Sequence, residues 1–287
     1  MKPSPYQITA FTAAARERSF SKAAESLGVT QSSITQHVAK LEKIMGTLLF
    51  VRRRDGLELT PAAEELFQIS DRLRTLEQLV DEKVASYGAL SDGHLRIIAN
   101  APRPALPVIA AYTRLYPQVR IGFSLYSWTI AMQKLHERDM DIAIITEPEA
   151  LEGVSIHEIN QTPYKAHLRR DHPLAARKSL SLRDLAEETV IMPEDGSFTQ
   201  RVVSAKTREH GIELSRVIKT STFPVVKEAV LHGVGVGIVL EDSLFPSRHL
   251  VALPLKEMPE VYRHCLVTPP YKQDLRLVRS FLDVALQ

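Results

Sequence analysis

The sequence predicts an α/β protein with three parts: a small head of the all-α type, one long linker helix, and a larger domain of two α/β subdomains. Three patterns support this prediction. Apolar residues recur at helical spacing up to residue 45, a heptad spacing follows between residues 66 and 80, and strand-like and helix-like segments alternate from residue 94 onward. The 287 residues suffice for two or three domains of ordinary size.

The predicted domain boundaries follow these patterns. The head covers residues 1–60 and the linker helix covers residues 61–91. The first α/β subdomain combines residues 92–163 with residues 268–287, and the second covers residues 164–267.

The composition limits the class of protein. Hydrophobic residues make up 44% of the chain and charged residues 24%, as in soluble globular proteins. No run of about 18 apolar residues spans a membrane, and the N-terminal segment lacks the apolar core of a signal peptide. The single cysteine, Cys265, excludes a disulfide within the chain and suits a reducing compartment. We therefore expect a cytoplasmic protein without a membrane partner, in which Cys265 packs in an apolar strand.

Charge is unevenly distributed, although the net charge is only +2. Residues 1–60 hold nine Lys and Arg against five Asp and Glu, which gives +4, whereas residues 61–90 hold three against six, which gives −3. A basic head followed by an acidic segment favours a polyanionic partner for the head. Chance variation of the surface is the alternative.

The head contains three predicted helices whose ends are marked by capping residues. Ser4, Ser21 and Thr30 are the predicted N-caps, because their side-chain oxygens can accept hydrogen bonds from the first turn. Gly28 and Gly46 end the second and third helices, since glycine readily adopts the left-handed conformation of a helix C-terminus. The segment TLLFVRRRDGLELT then predicts a β-hairpin around its Asp-Gly pair.

The linker carries a narrow apolar stripe. Its residues are spaced alternately three and four apart: Leu66, Ile69, Leu73, Leu76 and Val80. Because charged residues flank the stripe, we expect it to pack against the same helix of a second chain. An ordinary amphipathic helix that packs on its own domain is the alternative interpretation.

Two short helices joined through Gly28, the second beginning with small polar residues, form the pattern of a helix-turn-helix. Ile34, Val38 and Leu41 face the other helices, which leaves the polar residues of the first turns toward a DNA major groove. Together with an arginine-rich wing and a dimerising helix, the pattern predicts binding to an inverted repeat in double-stranded DNA. The candidate DNA-binding residues are Ser21, Lys22, Thr30, Gln31, Ser32, Ser33, Thr35, Gln36, Lys40, Arg52, Arg53 and Arg54.

The chain resembles LysR-type transcriptional regulators over essentially its full length. The segment FTAAARERSFSKAAESLGVTQSSITQHVAKLEKIMGTLLFVRRRDGLELTPAAEEL carries the specific match, and RDHPLAARKSLSLRDLA and EAVLHGVGVGIVL support it. The resemblance implies a winged helix-turn-helix head, a dimerising linker helix, a periplasmic-binding-protein-like effector domain and a homotetramer built as a dimer of dimers. It implies a regulator rather than an enzyme, with no cofactor besides a small-molecule effector. RNA polymerase is a further partner if the protein activates transcription.

Two positions depart from the family pattern. Gln36 stands where many members carry arginine, so we expect base readout that is less directed to guanine. Asp55 stands where a basic residue is common, which leaves Arg53 and Arg54 to carry the charge of the wing.

A candidate effector site follows from the α/β half, because ligands of such folds bind between subdomains at the C-terminal ends of parallel strands. Ser197 and Thr199 lie at a helix N-terminus that attracts anions, with Arg103 as the predicted counter-charge. We therefore expect a small anionic or zwitterionic effector; a plain helix cap with a surface arginine is the alternative. The candidate effector-binding residues are Asn100, Ala101, Arg103, Ser127, Trp128, Thr146, Ser197, Phe198, Thr199 and Thr222.

Within the family, three segments are similar to the branch associated with aminoethylphosphonate catabolism: GSFTQR, VVKEAVLHGVGVGIV and IANAPRPALPVI. This similarity suggests a phosphonate-like effector, and a phosphonate group suits a helix N-terminus.

Two other classes remain as alternatives: an α/β metabolite-binding enzyme and a nucleoid-type DNA-binding protein. The segment HGVGVG resembles a nucleotide loop, but its glycines, Gly233 to Gly237, follow a helix and lead into a strand, which is the reverse order. We expect them to allow tight helix–strand packing. His157, His167 and His172 lack metal-ligand spacing, and we expect them in loops and at the surface.

Overall fold

The computed structural model describes residues 2–53, 56–85 and 93–287. The chain divides into two compact units, Met1–Tyr87 and Gly88–Gln287. A mainly helical head and a two-subdomain α/β domain are present, so the predicted fold class is confirmed. Within the described ranges, no helix is both long enough and apolar enough to cross a membrane.

The head begins with three helices: α1 (Pro5–Glu17), α2 (Phe20–Leu27) and α3 (Gln31–Met45). The caps Ser4 and Thr30 are confirmed, since their side chains accept hydrogen bonds from backbone N–H groups of the first turns. Gly28 and Gly46 end α2 and α3 with φ angles of 64° and 68°, in the left-handed region that glycine adopts without strain.

The predicted cap of α2 is wrong by two residues. Ser19 has the extended backbone of an N-cap, and its hydroxyl oxygen accepts a hydrogen bond from the backbone N–H of Lys22 at 3.3 Å. Ser21 instead lies in the first turn, with its side chain exposed. The two serines flank Phe20 at the start of the helix, and either hydroxyl can cap a helix, so the residue type alone does not distinguish them.

A hairpin and the linker helix complete the head. Strands β1 (Phe50–Arg53) and β2 (Gly56–Leu59) pair antiparallel, which confirms the hairpin, and the helix α4 spans Pro61–Ala85. The hairpin turn at residues 54–55 and the predicted end of the linker at residues 86–91 lie outside the described residues. One core buries side chains from the three helices, the hairpin and the start of α4, including Phe11, Ile34 and Phe67.

The second unit opens with the predicted βαβαβ run and continues through two further groups of elements. In chain order these are β3 (His94–Ala99), α5 (Pro102–Leu115), β4 (Arg120–Leu125), α6 (Trp128–His136), β5 (Ile142–Thr146), β6 (Ser155–Arg169), β7 (Thr189–Pro193), α7 (Phe198–Glu209), β8 (Arg216–Thr220), α8 (Phe223–Leu231), β9 (Val236–Leu240), β10 (Leu250–Pro254), β11 (Val261–Thr268) and α9 (Arg276–Ala285). The strands form a nine-stranded sheet in the order β4-β3-β5-β11-β6-β9-β7-β8, with β10 added beside β6.

Each subdomain contains three parallel strands, and the antiparallel strands β6 and β11 connect the two sets. The first half of β6 pairs with β11 as far as Pro163, and its second half pairs with β9 and β10 from Tyr164 onward. The predicted boundary between residues 163 and 164 therefore falls where β6 changes partners. The predicted boundary after residue 267 assigns nearly all of β11 to the second subdomain, but β11 pairs with β5 and with the first half of β6, which belong to the first subdomain.

The strand β6 is not among the predicted elements, and the expectation that His157 and His167 lie in loops is wrong. Both belong to β6, and His167 is buried. Burial lowers the pKa of His167 to about 4, because desolvation disfavours the charged imidazolium. His172, as expected, lies in a loop, where its ring accepts a hydrogen bond from the backbone N–H of Leu174.

The glycines before and within β9 allow close packing, as predicted. A Cβ atom added at Gly235 would lie 2.0 Å from the carbonyl oxygen of Thr189, and one at Gly237 would lie 2.9 Å from the side chain of Val226. Cys265 is buried in β11, also as predicted, and burial raises the pKa of its thiol to about 11.

Candidate DNA interface and effector site

The helix α3 presents a polar first turn on the outside of the head. Ile34, Val38 and Leu41 are buried in the head core, whereas Gln31, Ser32 and Gln36 are exposed. This agrees with the predicted division of the helix into an apolar inner face and a polar outer face. Amide and hydroxyl groups at such a helix start can bond base edges or phosphates.

Hydrogen bonds restrain this polar turn. The hydroxyl of Ser21 donates to the side-chain carbonyl of Gln31 at 3.0 Å, and the hydroxyl groups of Thr30 and Ser32 lie 3.0 Å apart. The hydroxyl of Thr35 donates to the backbone carbonyl of Gln31 at 3.0 Å. The polar side chains at the start of α3 are therefore held in position before any ligand arrives.

The remaining candidates of the head fall into three groups. Lys22 and Lys40 are exposed on α2 and α3, close in sequence to the polar turn. Ser33 lies on another side of α3, where it lines a surface groove together with Tyr6 and His37. The strand β1 contains Arg52 and Arg53, but their side chains lie outside the described residues, as does all of Arg54: the predicted wing contacts remain predictions.

The linker helix exposes most of its apolar stripe. Ile69, Leu73, Leu76 and Val80 are between 44% and 67% exposed, while Leu66 packs against the head core. Closer to the head, the guanidinium of Arg16 forms a buried ion pair with the carboxylate of Asp71, which fixes α4 against α1. Among the residues that the structure describes, none covers the exposed stripe, which is therefore an open apolar surface.

In the second unit, twelve residues surround a cleft between the two subdomains. The enclosed free volume is about 10 Å³, which is room for roughly one water molecule. Eight of the ten predicted effector-binding residues line it: Asn100, Ser127, Trp128, Thr146, Ser197, Phe198, Thr199 and Thr222.

Three helices begin at this cleft. Ser127 and Ser197 cap α6 and α7, their hydroxyl oxygens accepting hydrogen bonds from the backbone N–H groups of Ile130 and Gln200. Thr222 precedes α8, and its side chain makes no capping hydrogen bond. The positive ends of three helix dipoles therefore converge on one small volume, which favours a negatively charged group there.

One wall of the cleft is a polar network around Thr146 at the end of β5. Its backbone N–H donates to the side-chain carbonyl of Asn100 at 3.0 Å, and its carbonyl oxygen accepts from the indole N–H of Trp128 at 2.8 Å. Its hydroxyl lies 2.9 Å from Nδ1 of His264. Burial lowers the pKa of His264 to about 4, so its imidazole is neutral near pH 7 and adds no positive charge.

Two of the predicted effector residues lie elsewhere. Ala101 is buried and does not line the cleft. The guanidinium of Arg103 pairs with the carboxylate of Asp242 at 3.0 Å and donates to the carbonyl oxygens of Glu241 and Leu244. The proposal that Arg103 is the counter-charge of a bound anion is therefore wrong: the first turn of α5 directs this arginine to the other subdomain.

Four lining residues do not appear among the sequence candidates: Pro193, Glu194, Ser221 and Phe223. Glu194 and Ser221 each follow a parallel strand of the second subdomain, β7 and β8. The same strand-end rule that indicates Thr146 therefore applies to them, once β7 and β8 are known to be parallel neighbours. In the described part of the chain, no group of three or more His, Cys, Asp or Glu side chains could hold a metal ion.

A helix-turn-helix head and a separate two-subdomain domain with a polar cleft define the class of DNA-binding regulators that carry a small-molecule-binding domain. Residues 6–64 match the family described as bacterial regulatory helix-turn-helix protein, lysR family, and residues 88–287 match the LysR substrate binding domain. The chain therefore belongs to the LysR family, and it is a transcriptional regulator rather than an enzyme.

Similarity to individual proteins extends over nearly the whole chain for two relatives and over about two thirds of it for a third. The HTH-type transcriptional regulator YofA of Bacillus velezensis is 30% identical over 280 residues, which are 96% of this chain and 93% of that protein. Full-length OxyR from Pseudomonas aeruginosa has a TM-score of 0.79 at 19% identity and covers 99% of this chain and 95% of its own. The CcmR regulatory domain of Synechocystis PCC6803, solved in complex with 2-PG, has a TM-score of 0.60 at 23% identity and covers 68% of this chain and 96% of its own.

Proposed function

We propose that this regulator binds an interrupted inverted repeat in double-stranded DNA as a dimer, in the cytoplasm, and that two dimers assemble into a tetramer. The exposed stripe of α4 supports dimerisation, because four half-exposed apolar side chains in heptad register bury their surface best against a second copy. A two-fold dimer carries two heads and therefore matches two half-sites of opposite orientation.

In this proposal the polar turn of α3 provides the base readout. Gln31, Ser32, Thr35 and Gln36 contact base edges or phosphates in the major groove, and Ser21, Thr30 and Ser33 contact the sugar-phosphate backbone. The positive side chains contribute affinity that does not depend on the DNA sequence. Lys22 and Lys40 act beside the groove, and Arg52, Arg53 and Arg54 act from the wing.

The cleft of the second unit is the proposed effector site. A small anionic or zwitterionic molecule suits it, because three helix N-termini converge there and its wall is lined by hydroxyl and amide groups. A phosphonate is a chemically suitable member of this class. The CcmR regulatory domain with 2-PG supports the proposal as an example of a related fold that holds a ligand.

Effector binding requires the subdomains to move, because the cleft in this structure has room for about one water molecule. A ligand that fits one arrangement of the subdomains better than another shifts the equilibrium between them, and this difference in affinity is the source of regulation. If the regulator activates transcription, RNA polymerase is its further partner.

The observation that carries the proposal is the exposed, hydrogen-bonded polar turn of α3, and a footprint of the full-length protein on random DNA ligands tests it. We expect protection of a discrete inverted repeat by the wild type and a relaxed base preference in Gln31→Ala. Gln133→Ala, an exposed glutamine of the second unit, is the matched control and should keep the wild-type site. An unchanged preferred site in Gln31→Ala would contradict the assignment, and unspecific coverage by the wild type would favour a nucleoid-type protein.

A further inference from the structure

Glu194 is the one charged side chain among the twelve residues that surround the cleft. It follows β7 and precedes the cap of α7. Its Oε1 atom accepts a hydrogen bond from the hydroxyl of Thr129 at 3.2 Å. Its Oε2 atom is buried and has no hydrogen-bond partner among the described residues. No other residue that lines the cleft has a buried side-chain atom left in this way.

An unpaired carboxylate oxygen in a closed cleft indicates a missing donor. Burial removes the water that would otherwise bond this oxygen, and the free volume is too small for more than about one water molecule. About one water molecule can bond Oε2 in the empty cleft, and a ligand that displaces this water has to supply the donor in its place.

Three cations of the second unit, Arg103, Arg201 and Lys219, do not fill this role. Arg103 is paired with Asp242, as described above. The guanidinium of Arg201 on α7 lies 4.5 Å from the centre of the Trp128 ring and pairs with Glu149 at 3.2 Å. The ammonium of Lys219 pairs with Asp195, the neighbour of Glu194. Each of these cations is paired with another carboxylate, so none of the three forms an ion pair with Glu194.

The cleft thus combines two opposite preferences. The helix N-termini at Ser127, Ser197 and Thr222 attract a negative group, and Glu194 attracts a positive one. A ligand with only negative charge satisfies the first and is repelled by the second. A ligand that carries both groups satisfies both, and an ammonium group offers three N–H donors to a carboxylate in short, charge-assisted bonds.

We infer that the effector is a small ammonium-bearing acid, whose amine pairs with Oε2 of Glu194 while its acidic group lies at the helix N-termini. This inference rests on the proposal that the cleft is the effector site, and it selects the zwitterionic class over the purely anionic one. Glu194 is the residue that determines this specificity.

Calorimetric titration of the full-length protein with matched probes tests the inference. Each probe pair shares an acidic group and chain length and differs in the amine: glycine and acetate, β-alanine and propanoate, 4-aminobutanoate and butanoate, 2-aminoethylphosphonate and ethylphosphonate. We expect the wild type to bind at least one ammonium-bearing probe about 30-fold or more tightly than its partner, as for a charge pair that excludes water. If in every pair the probe without an amine binds equally or more tightly, the inference is overturned by the wild-type protein alone.

Glu194→Gln, which keeps the size and removes the charge, should abolish this preference by weakening the ammonium-bearing probe and strengthening its partner. Glu152→Gln makes the same change on an exposed loop outside the cleft and should keep the wild-type preference. If Glu194→Gln keeps the wild-type preference for the ammonium-bearing probe, another residue binds the amine, and the inference is overturned.

The operator footprint, measured on the same preparations, separates this inference from the function on which it rests. If no probe binds and the footprint is intact, the ammonium inference fails and DNA binding by the head stands. If the purely anionic probes bind and alter the footprint, the cleft is an effector site and only the role of Glu194 is wrong.

Discussion

The substitution Leu73→Asp tests the dimer interface on the linker helix. Leu73 is 47% exposed in the single chain, and its neighbours on the stripe are exposed to similar degrees. Full burial of a leucine side chain contributes about 1.5–3 kcal/mol, so burying the exposed half in a dimer contributes about 1 kcal/mol per chain. Because both chains carry the substitution, the free energy of dimerisation is weakened by about 2 kcal/mol in total.

The aspartate also places two carboxylates on a surface that loses its water on association, so about 2 kcal/mol is a lower bound. We therefore expect the dissociation constant of the dimer to rise by about 30-fold or more. Sedimentation velocity over a concentration series measures this change. Operator affinity should fall in parallel, because a single head contacts one half-site.

Leu48→Asp is the matched control for this experiment. Leu48 is 64% exposed in the head and does not belong to the stripe, so the same change of side chain should leave the dissociation constant of the dimer unchanged. If Leu73→Asp and Leu48→Asp dimerise as tightly as the wild type, the stripe is an ordinary amphipathic face, and the dimer interface lies elsewhere.

Three further predictions concern other parts of the chain. Asp71→Asn leaves the buried guanidinium of Arg16 without its countercharge, and we expect the free energy of unfolding of the head to fall by about 3–5 kcal/mol; a denaturant titration that finds less than about 1 kcal/mol would show that the pair is dispensable. The neutral imidazoles of His167 and His264 have pKa values near 4 in the folded unit against about 6.5 when unfolded, so the unfolded chain binds more protons between these values. Stability of the second unit is therefore complete above pH 6.5 and declines toward pH 4, by up to about 3 kcal/mol for each histidine, and a flat profile of melting temperature between pH 7 and pH 5 would contradict this. Arg53→Ala should weaken DNA binding on all sequences and reduce the slope of log K against log salt by about one, whereas an altered base preference with an unchanged slope would place Arg53 at a base edge rather than at a phosphate.

The sequence is most informative where one residue determines local geometry. Gly28 and Gly46 end their helices because few other residues adopt a positive φ without strain, so both helix ends are predictable from the sequence. Ser19 and Ser21 illustrate the limit of this approach. Either can cap a helix, and the choice depends on the path of the preceding chain, which the apolar spacing does not contain.

The strand β6 is hidden for a different reason. In its second half, apolar residues at 164, 166 and 168 alternate with polar ones, as in a half-buried strand. In its first half no such alternation is present, and Pro163 interrupts the run, which argues against one continuous strand. Some site residues can be predicted from one segment of the sequence, whereas others depend on tertiary structure. Thr146 is predictable because it ends a parallel strand, whereas the pairing of Arg103 with Asp242 joins residues far apart in the sequence and depends on tertiary structure.

Glu194 could have been predicted as a residue of the effector site by extending the strand-end argument to β7. The ammonium inference, however, depends on the unpaired state of one oxygen atom, which only the folded arrangement of Thr129, Asp195 and the neighbouring cations defines. Specificity at this site is therefore a property of the assembled cleft and not of any single segment.

The strand β6 is one continuous segment of backbone that is hydrogen-bonded to strands of both subdomains. Its change of partners occurs between Pro163 and Tyr164, and proline lacks a backbone N–H group, so no ladder donor is lost at the change. The ring of Pro163 also fixes φ near −65°, which leaves few torsions there that can turn. Sliding of one subdomain along β6 would break the ladders on both sides, so a rearrangement that keeps both ladders has to be a rotation near this junction and near the second crossing between β10 and β11. Because few motions keep both ladders, a ligand that fills a very small volume can select one orientation of a whole subdomain.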